Sequence, residues 1–105
     1  MSWEKVIKRG AAKRLDHDFL KEVAIQEAQR LKGQVLNPNE FDTFIEGVRD
    51  KYAKRHRGIK SDRIRNSTTI YLKNRNLLET KPRRRRIVID GKFMGYETVT
   101  YYEFL

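Results

Sequence analysis

The chain has 105 residues, of which 38% are apolar, with no cysteine and a formal net charge of +10, which suits one domain with a single modest core. The lack of cysteine excludes disulfides and thiol-ligated zinc or iron–sulfur sites, so stability must come from packing. No apolar run approaches the roughly 20 residues of a membrane span, and the start Met1-Ser2-Trp3-Glu4-Lys5 lacks the apolar stretch of a signal peptide, so the expectation is an intracellular protein, cytoplasmic or associated with the nucleoid.

Residues 3–14 can form a short amphipathic helix, with Trp3, Val6 and Ile7 on one face among Lys5, Lys8, Arg9, Lys13 and Arg14. Gly10 weakens it. It reads as a basic arm on a phosphate backbone or as a terminal helix that docks Trp3 on the core, and the second is preferred. A helix follows over about 17–32, capped by Asp16 or Asp18 and ended by Gly33. Its core face is Leu20, Val23, Ala24, Ala28 and Leu31. Lys21, Glu22, Glu27 and Arg30 form a solvated face.

A second helix is predicted from 38 to about 56. Asn37 is its N-cap, Pro38 takes the first helical position, Glu40 the third, and Gly58 follows its end. Phe41, Phe44, Ile45, Val48 and Tyr52 form one apolar stripe. After Gly58-Ile59-Lys60, Ser61 is expected to cap a third helix that runs to about 75. Ile64, Thr68, Tyr71 and Leu72 lie near one side of it, and Arg65, Asn66, Thr69 and Lys73 roughly opposite. Ile70 fits neither side.

Beyond Leu77-Leu78-Glu79 the period changes. A loop of up to seven residues is expected, then a strand ending in Ile87-Val88-Ile89. Asp90-Gly91 signals a two-residue hairpin. The second strand covers 92–104 and is broken or bulged at Gly95. In it Tyr96, Thr98, Thr100 and Tyr102 alternate with Glu97, Val99, Tyr101 and Glu103, residues that suit a pleated ladder.

The charge is segregated along this chain. Residues 1–50 carry nine basic and nine acidic side chains, whereas residues 51–92 carry fifteen basic and three acidic. A contiguous excess of this kind reads as a footprint for a polyanion, and nucleic acid is the leading partner.

Two helices joined by a short Gly-containing turn, the second polar and basic outside, and then a basic hairpin make up a recognisable order. In it the chain resembles the winged helix-turn-helix family over about residues 38–104. The resemblance is carried by the stretch from Ser61 to Glu79. Tyr71-Leu72-Lys73 looks like the end of a recognition helix, and Leu77-Leu78 like the lead-in to a wing. The chain departs from the pattern in its long loop after Leu78 and its long, Tyr-rich second strand. It also lacks a clear short strand between the first two helices, although Gln34-Val35-Leu36 can serve.

The resemblance implies an α+β fold, a three-helix winged helix-turn-helix with a C-terminal β-hairpin, as one domain over 1–105. It implies a recognition helix at about 61–75 for the DNA major groove and an Arg-rich wing at about 82–92. Arg65 would then pair with guanine and Asn66 with adenine, while Thr69 would touch a thymine methyl or a phosphate. Arg63 and Lys73 suit phosphates, and Ser61 with the helix N-terminus can hold another. Arg83, Arg84, Arg85 and Arg86 would enter the minor groove or clamp the backbone. Lys54, Arg55, Arg57, Lys60 and Lys92 complete the basic set.

The expected function is therefore a non-enzymatic, double-stranded-DNA-binding transcriptional regulator, of the minimal kind that mobile elements and viruses carry. An RNA or single-strand binder that uses the tyrosines as a stacking platform, or an adaptor for an acidic protein, are the alternatives. Sheet tyrosines more often pack the core, and a polar helix face is usually just solvated. No cofactor, metal or catalytic residue is expected: His17 and His56 are far apart, and Asp62, Glu79 and Asp90 lack motif spacing. A homodimer built on the first helix or the C-terminal strand remains open.

Overall fold

The computed structural model describes residues 14–105. The expected helix over residues 3–14 lies outside them save for Arg14, which is not helical. Three helices and a three-stranded antiparallel sheet make an α+β fold, in the order α1 (His17–Arg30), β1 (Val35–Leu36), α2 (Pro38–Ala53), α3 (Ser61–Asn74), β2 (Leu78–Ile89) and β3 (Lys92–Phe104).

The first two helix starts follow their capping chemistry. The Asp16 carboxylate accepts the Phe19 N–H at 3.1 Å. At α2, the Glu40 N–H donates to Asn37 Oδ1 at 2.8 Å and the Asn37 N–H to Glu40 Oε1 at 3.0 Å, a reciprocal box. Both helices end earlier than the sequence pattern predicts. In α2 the cause is local: the N–H groups of Arg55 and His56 both reach back to the Tyr52 carbonyl, at 3.1 and 2.9 Å, and tighten the last turn.

The start of α3 corrects an expectation. Its N-cap is Lys60, whose backbone is extended and whose side chain makes no cap bond. Ser61 is the first helical residue instead, and its hydroxyl accepts a hydrogen bond from the Arg49 guanidinium at 2.9 Å. The end of α3 is well closed. Asn76 adopts φ +58°, its N–H donates to the Lys73 carbonyl at 3.0 Å, and the Leu77 N–H donates to the Leu72 carbonyl at 2.9 Å. This is a Schellman closure, with Asn in the left-handed position.

The sheet order is β1-β3-β2. Val35 pairs with Glu103 and Leu36 with Tyr102, so the short strand left open by the sequence is present. No seven-residue loop precedes the hairpin: β2 starts at Leu78 and runs straight through Pro82. The proline is accommodated because β2 is an edge strand, where a missing N–H can face solvent. Asp90 and Gly91 have φ of +51° and +78°, the two positive values of a type I′ turn. The register shifts where Ile87 pairs with Gly95 but Val88 with Phe93, which leaves Met94 as the extra residue of a bulge beside Gly95.

The core lies between α1, α2, α3 and the base of the hairpin. Tyr52, Phe41, Phe104, Leu20, Ile64, Leu72 and Val48 are its largest fully buried side chains. The Phe41 ring stacks on Tyr102 with centroids 3.7 Å apart, and Phe44 meets Phe104 edge-on at 4.9 Å. These contacts place α2 on the sheet face that carries Tyr102 and Phe104.

Thr68 is buried among these groups, and its hydroxyl has no hydrogen-bond partner among the described residues. A buried unsatisfied hydroxyl costs about 1–3 kcal/mol. Thr68→Val, which keeps the shape and removes the hydroxyl, is therefore expected to raise stability by about 1 kcal/mol. Urea unfolding would show a higher midpoint at unchanged slope.

A polar knot joins the start of α1 to the end of α2. The Asp16 N–H donates to the Tyr52 hydroxyl at 2.9 Å, and the Asp16 carboxylate lies 2.8 Å from His56 Nε2. The Phe19 N–H, and then His56, hold the Asp16 carboxyl below its ordinary pKa. A carboxyl depressed in the folded state contributes stability above its unfolded pKa and loses it as pH falls through the folded value. The urea midpoint should accordingly drop in the acid range below about pH 5. Asp16→Asn, which keeps the cap but not the charge, should flatten that fall.

Candidate nucleic-acid interface

Helical period sorts the residues of α3. Ile64, Thr68 and Leu72 point into the core. Arg63, Asn66, Ile70 and Lys73 lie opposite, all exposed, in one stripe along the outer surface. Ile70 is 54% exposed at the centre of this stripe. Its spacing from Arg63, Asn66 and Lys73 was the signal that places it there.

Arg65 and Thr69 flank the stripe and are half-buried. The Arg65 guanidinium is ion-paired with Asp42 of α2 and sits 5.2 Å over the Phe41 ring. The hydrogen bond to Asp42 holds its pKa above the ordinary value. The Thr69 hydroxyl donates to the Arg65 carbonyl at 2.8 Å. Arg65 is thus engaged at the joint of α2 and α3, while Asn66 and Lys73 face outward.

The turn from α2 to α3 adds Lys54, Arg55, Arg57 and Lys60, all exposed. The Arg55 guanidinium lies 4.4 Å over the Phe19 ring. With Ser61 held by Arg49, this turn brackets the N-terminal end of α3.

In the hairpin, the two-residue period of a strand splits the arginine run between two faces. Arg84 pairs with Thr98 and Arg86 with Tyr96, on the face that also carries Tyr102 and Phe104. Their guanidinium groups lie 5.3 Å over Tyr96 and 5.0 Å over Phe93. Arg83 and Arg85 project from the other face, Arg83 5.3 Å over Tyr101 and Arg85 ion-paired with Glu97. Lys81 pairs with Glu103 on that same face, and the hydrogen bond to this carboxylate raises the Lys81 pKa.

This sorting separates the charges. Glu79, Glu97 and Glu103, the glutamates of the two strands, all belong to the face of Arg83 and Arg85. The helix-side face carries Arg84 and Arg86 and no carboxylate among its strand residues. Lys92 pairs with Ile89 beside the turn. The sequence marked the four arginines as one block; alternation and the glutamates make them two unlike pairs.

The hairpin projects well beyond the core. The described residues extend 63 Å in their longest direction, against 34 and 22 Å in the others. The seven β2 residues from Arg83 to Ile89 span roughly 20 Å at strand spacing. Val88, Ile89, Phe93, Met94 and Tyr96 near its end are each at least half exposed. None of these was assigned to the site from sequence.

Both histidines have structural contacts: His17 Nδ1 bonds to the Tyr71 hydroxyl, and His56 to Asp16. Among the described residues there is no group of three or more His, Cys, Asp or Glu that can hold a metal ion. No described helix is long and apolar enough to cross a membrane. No protein-family model matches the chain, and no curated protein or solved structure matches it either.

Proposed function

We propose that the chain is a winged helix-turn-helix domain that binds double-stranded DNA, with α3 in the major groove and the hairpin along the neighbouring backbone, and that it serves as a small transcriptional regulator. The observation that carries this reading is the pairing of two outward surfaces. One is the Arg63, Asn66, Ile70 and Lys73 stripe of α3. The other is the carboxylate-free hairpin face with Arg84 and Arg86. The order of elements and the sheet order β1-β3-β2 support the same assignment.

The chemistry follows from the stripe. The major groove admits an α-helix and displays base-specific donors, acceptors and the thymine methyl. Asn66 suits adenine through two hydrogen bonds, and Ile70 suits a thymine methyl. Arg63 and Lys73, at the two ends of the stripe, suit phosphates. Arg65 serves to set the angle of α3 through Asp42 and not to read a base.

The test is a titration of the chain into duplex DNA, single-stranded DNA and RNA of matched sequence at several salt concentrations. Tightest binding to the duplex is expected, with log K falling linearly with log salt by about 0.9 per neutralised phosphate. Preference for single strands with quenched tyrosine fluorescence would instead support a stacking platform. The exposed rings of Phe93 and Tyr96 on the basic ribbon favour that second reading.

A further inference from the structure

Eight large apolar side chains are exposed among the described residues, and five of them crowd one end of one hairpin: Val88, Ile89, Phe93, Met94 and Tyr96. The fold does not need them there. The type I′ turn is closed by Asp90 and Gly91, and polar neighbours would pair as well in solvent. Val88, Phe93 and Tyr96 share the helix-side face, and the Phe93 ring meets Tyr96 edge-on at 5.1 Å; an exposed apolar patch of this kind signals a binding partner.

The surroundings identify the partner by its chemistry. Phe93 lies on the face of Arg84 and Arg86, and Met94 is the extra residue of the bulge, which re-aims a side chain out of the strand alternation. Lys92 stands beside the turn. An apolar end beside Arg84, Arg86 and Lys92, cations that outnumber the Asp90 carboxylate of the turn, suits a target with an apolar interior between anionic walls, and a stacked duplex between its phosphate backbones has that character.

Two other occupants fit less well. Two tips meeting end to end would press the Arg86 and Lys92 charges of two copies together. A lipid headgroup layer would meet only the end of the ribbon, whereas Arg84 lies about 17 Å back from Ile89 along the strand. A groove wall follows a ribbon over that distance.

We propose that the hairpin tip is a wedge: Phe93 and Met94 insert at a base step from the minor groove of duplex DNA, unstack it and kink the duplex. This rests on the duplex-binding reading above. Apolar wedges that unstack base steps kink DNA toward the major groove by roughly 20–90°.

The experiment uses the full chain and a duplex of about 20–30 base pairs, labelled at both ends for energy transfer and carrying 2-aminopurine at successive steps. Wild type is expected to bring the ends closer and to brighten 2-aminopurine at one step. Phe93→Ala/Met94→Ala alters only exposed side chains, so the fold should persist, as circular dichroism will check. This variant should still bind the duplex but leave it straight and dark. Phe93→Leu should keep most of the kink.

Wild-type binding without a change in either signal overturns the wedge alone. An equal kink from the double variant does the same. So does a variant that instead loses binding to phosphatidylserine vesicles or a self-association present in wild type, while the wild-type duplex stays straight. Absence of any duplex binding overturns both the wedge and the function it rests on.

Discussion

Alanine at Arg84 and Arg86 together should weaken binding to duplex DNA by a similar factor at every sequence, and should flatten the slope of log K against log salt by about 2. The two guanidinium groups stand on the hairpin face without carboxylates, so each can neutralise a phosphate at its full charge. The matched pair Arg83→Ala/Arg85→Ala separates position from charge count. Arg85 is already ion-paired with Glu97, on the face that also holds Glu79 and Glu103. That variant should move the slope distinctly less, although it removes the same formal charge. Fluorescence anisotropy over a salt series reads both. Equal effects from the two pairs would mean that the sidedness of the ribbon does not matter to binding.

Asn66→Ala should have a different signature. It should cost about 1–3 kcal/mol on the preferred duplex, roughly tenfold to a hundredfold in affinity, and little on unrelated sequences. The loss should disappear when one adenine of the site is changed, because the partner of the amide is then absent. Ile70→Ala should act the same way at a thymine, with a smaller effect. Both side chains are exposed, so thermal stability should barely change. Arg65→Ala inverts the pattern. Its partly exposed ion pair with Asp42 makes it a stability variant of about 0.2–1 kcal/mol, with no change in base preference.

Much of the frame was legible in the sequence because its signals are local. The Asp16 cap, the Asn37–Glu40 box, the stripe of α2 and the Asp90-Gly91 turn each depend on residues within one or two turns of chain. The misreadings came from long-range chemistry. Pro82 looked like a loop because nothing in the sequence says that β2 is an edge strand. Ser61 looked like a cap because the hydroxyl is the usual acceptor there, yet Arg49 engages it from another helix.

The surroundings of the candidate site's residues were legible by region more than by residue. Arg65 and Asn66 are adjacent and equally polar, and only the approach of Asp42 and Phe41 from α2 turns one inward. The split of the arginine run was implicit in strand alternation, but it needed the true extent of β2 and the register with Glu97 to emerge. The apolar tip went unassigned because Val88, Ile89 and Phe93 read as ordinary strand residues until their exposure was seen.

Under the proposed function, one DNA-binding surface is built from the outer stripe of α3 and the helix-side face of the hairpin. A chemical-shift titration with duplex DNA, following backbone amides and arginine side-chain Nε–Hε signals, tests this. The largest changes are expected at Arg63, Asn66, Ile70, Lys73, Arg84 and Arg86, joined by Phe93 and Met94 where the tip inserts, with Arg85 and the amides of α1 nearly still. Changes confined to α1, or to the Arg83, Arg85 and Glu97 face, would contradict it.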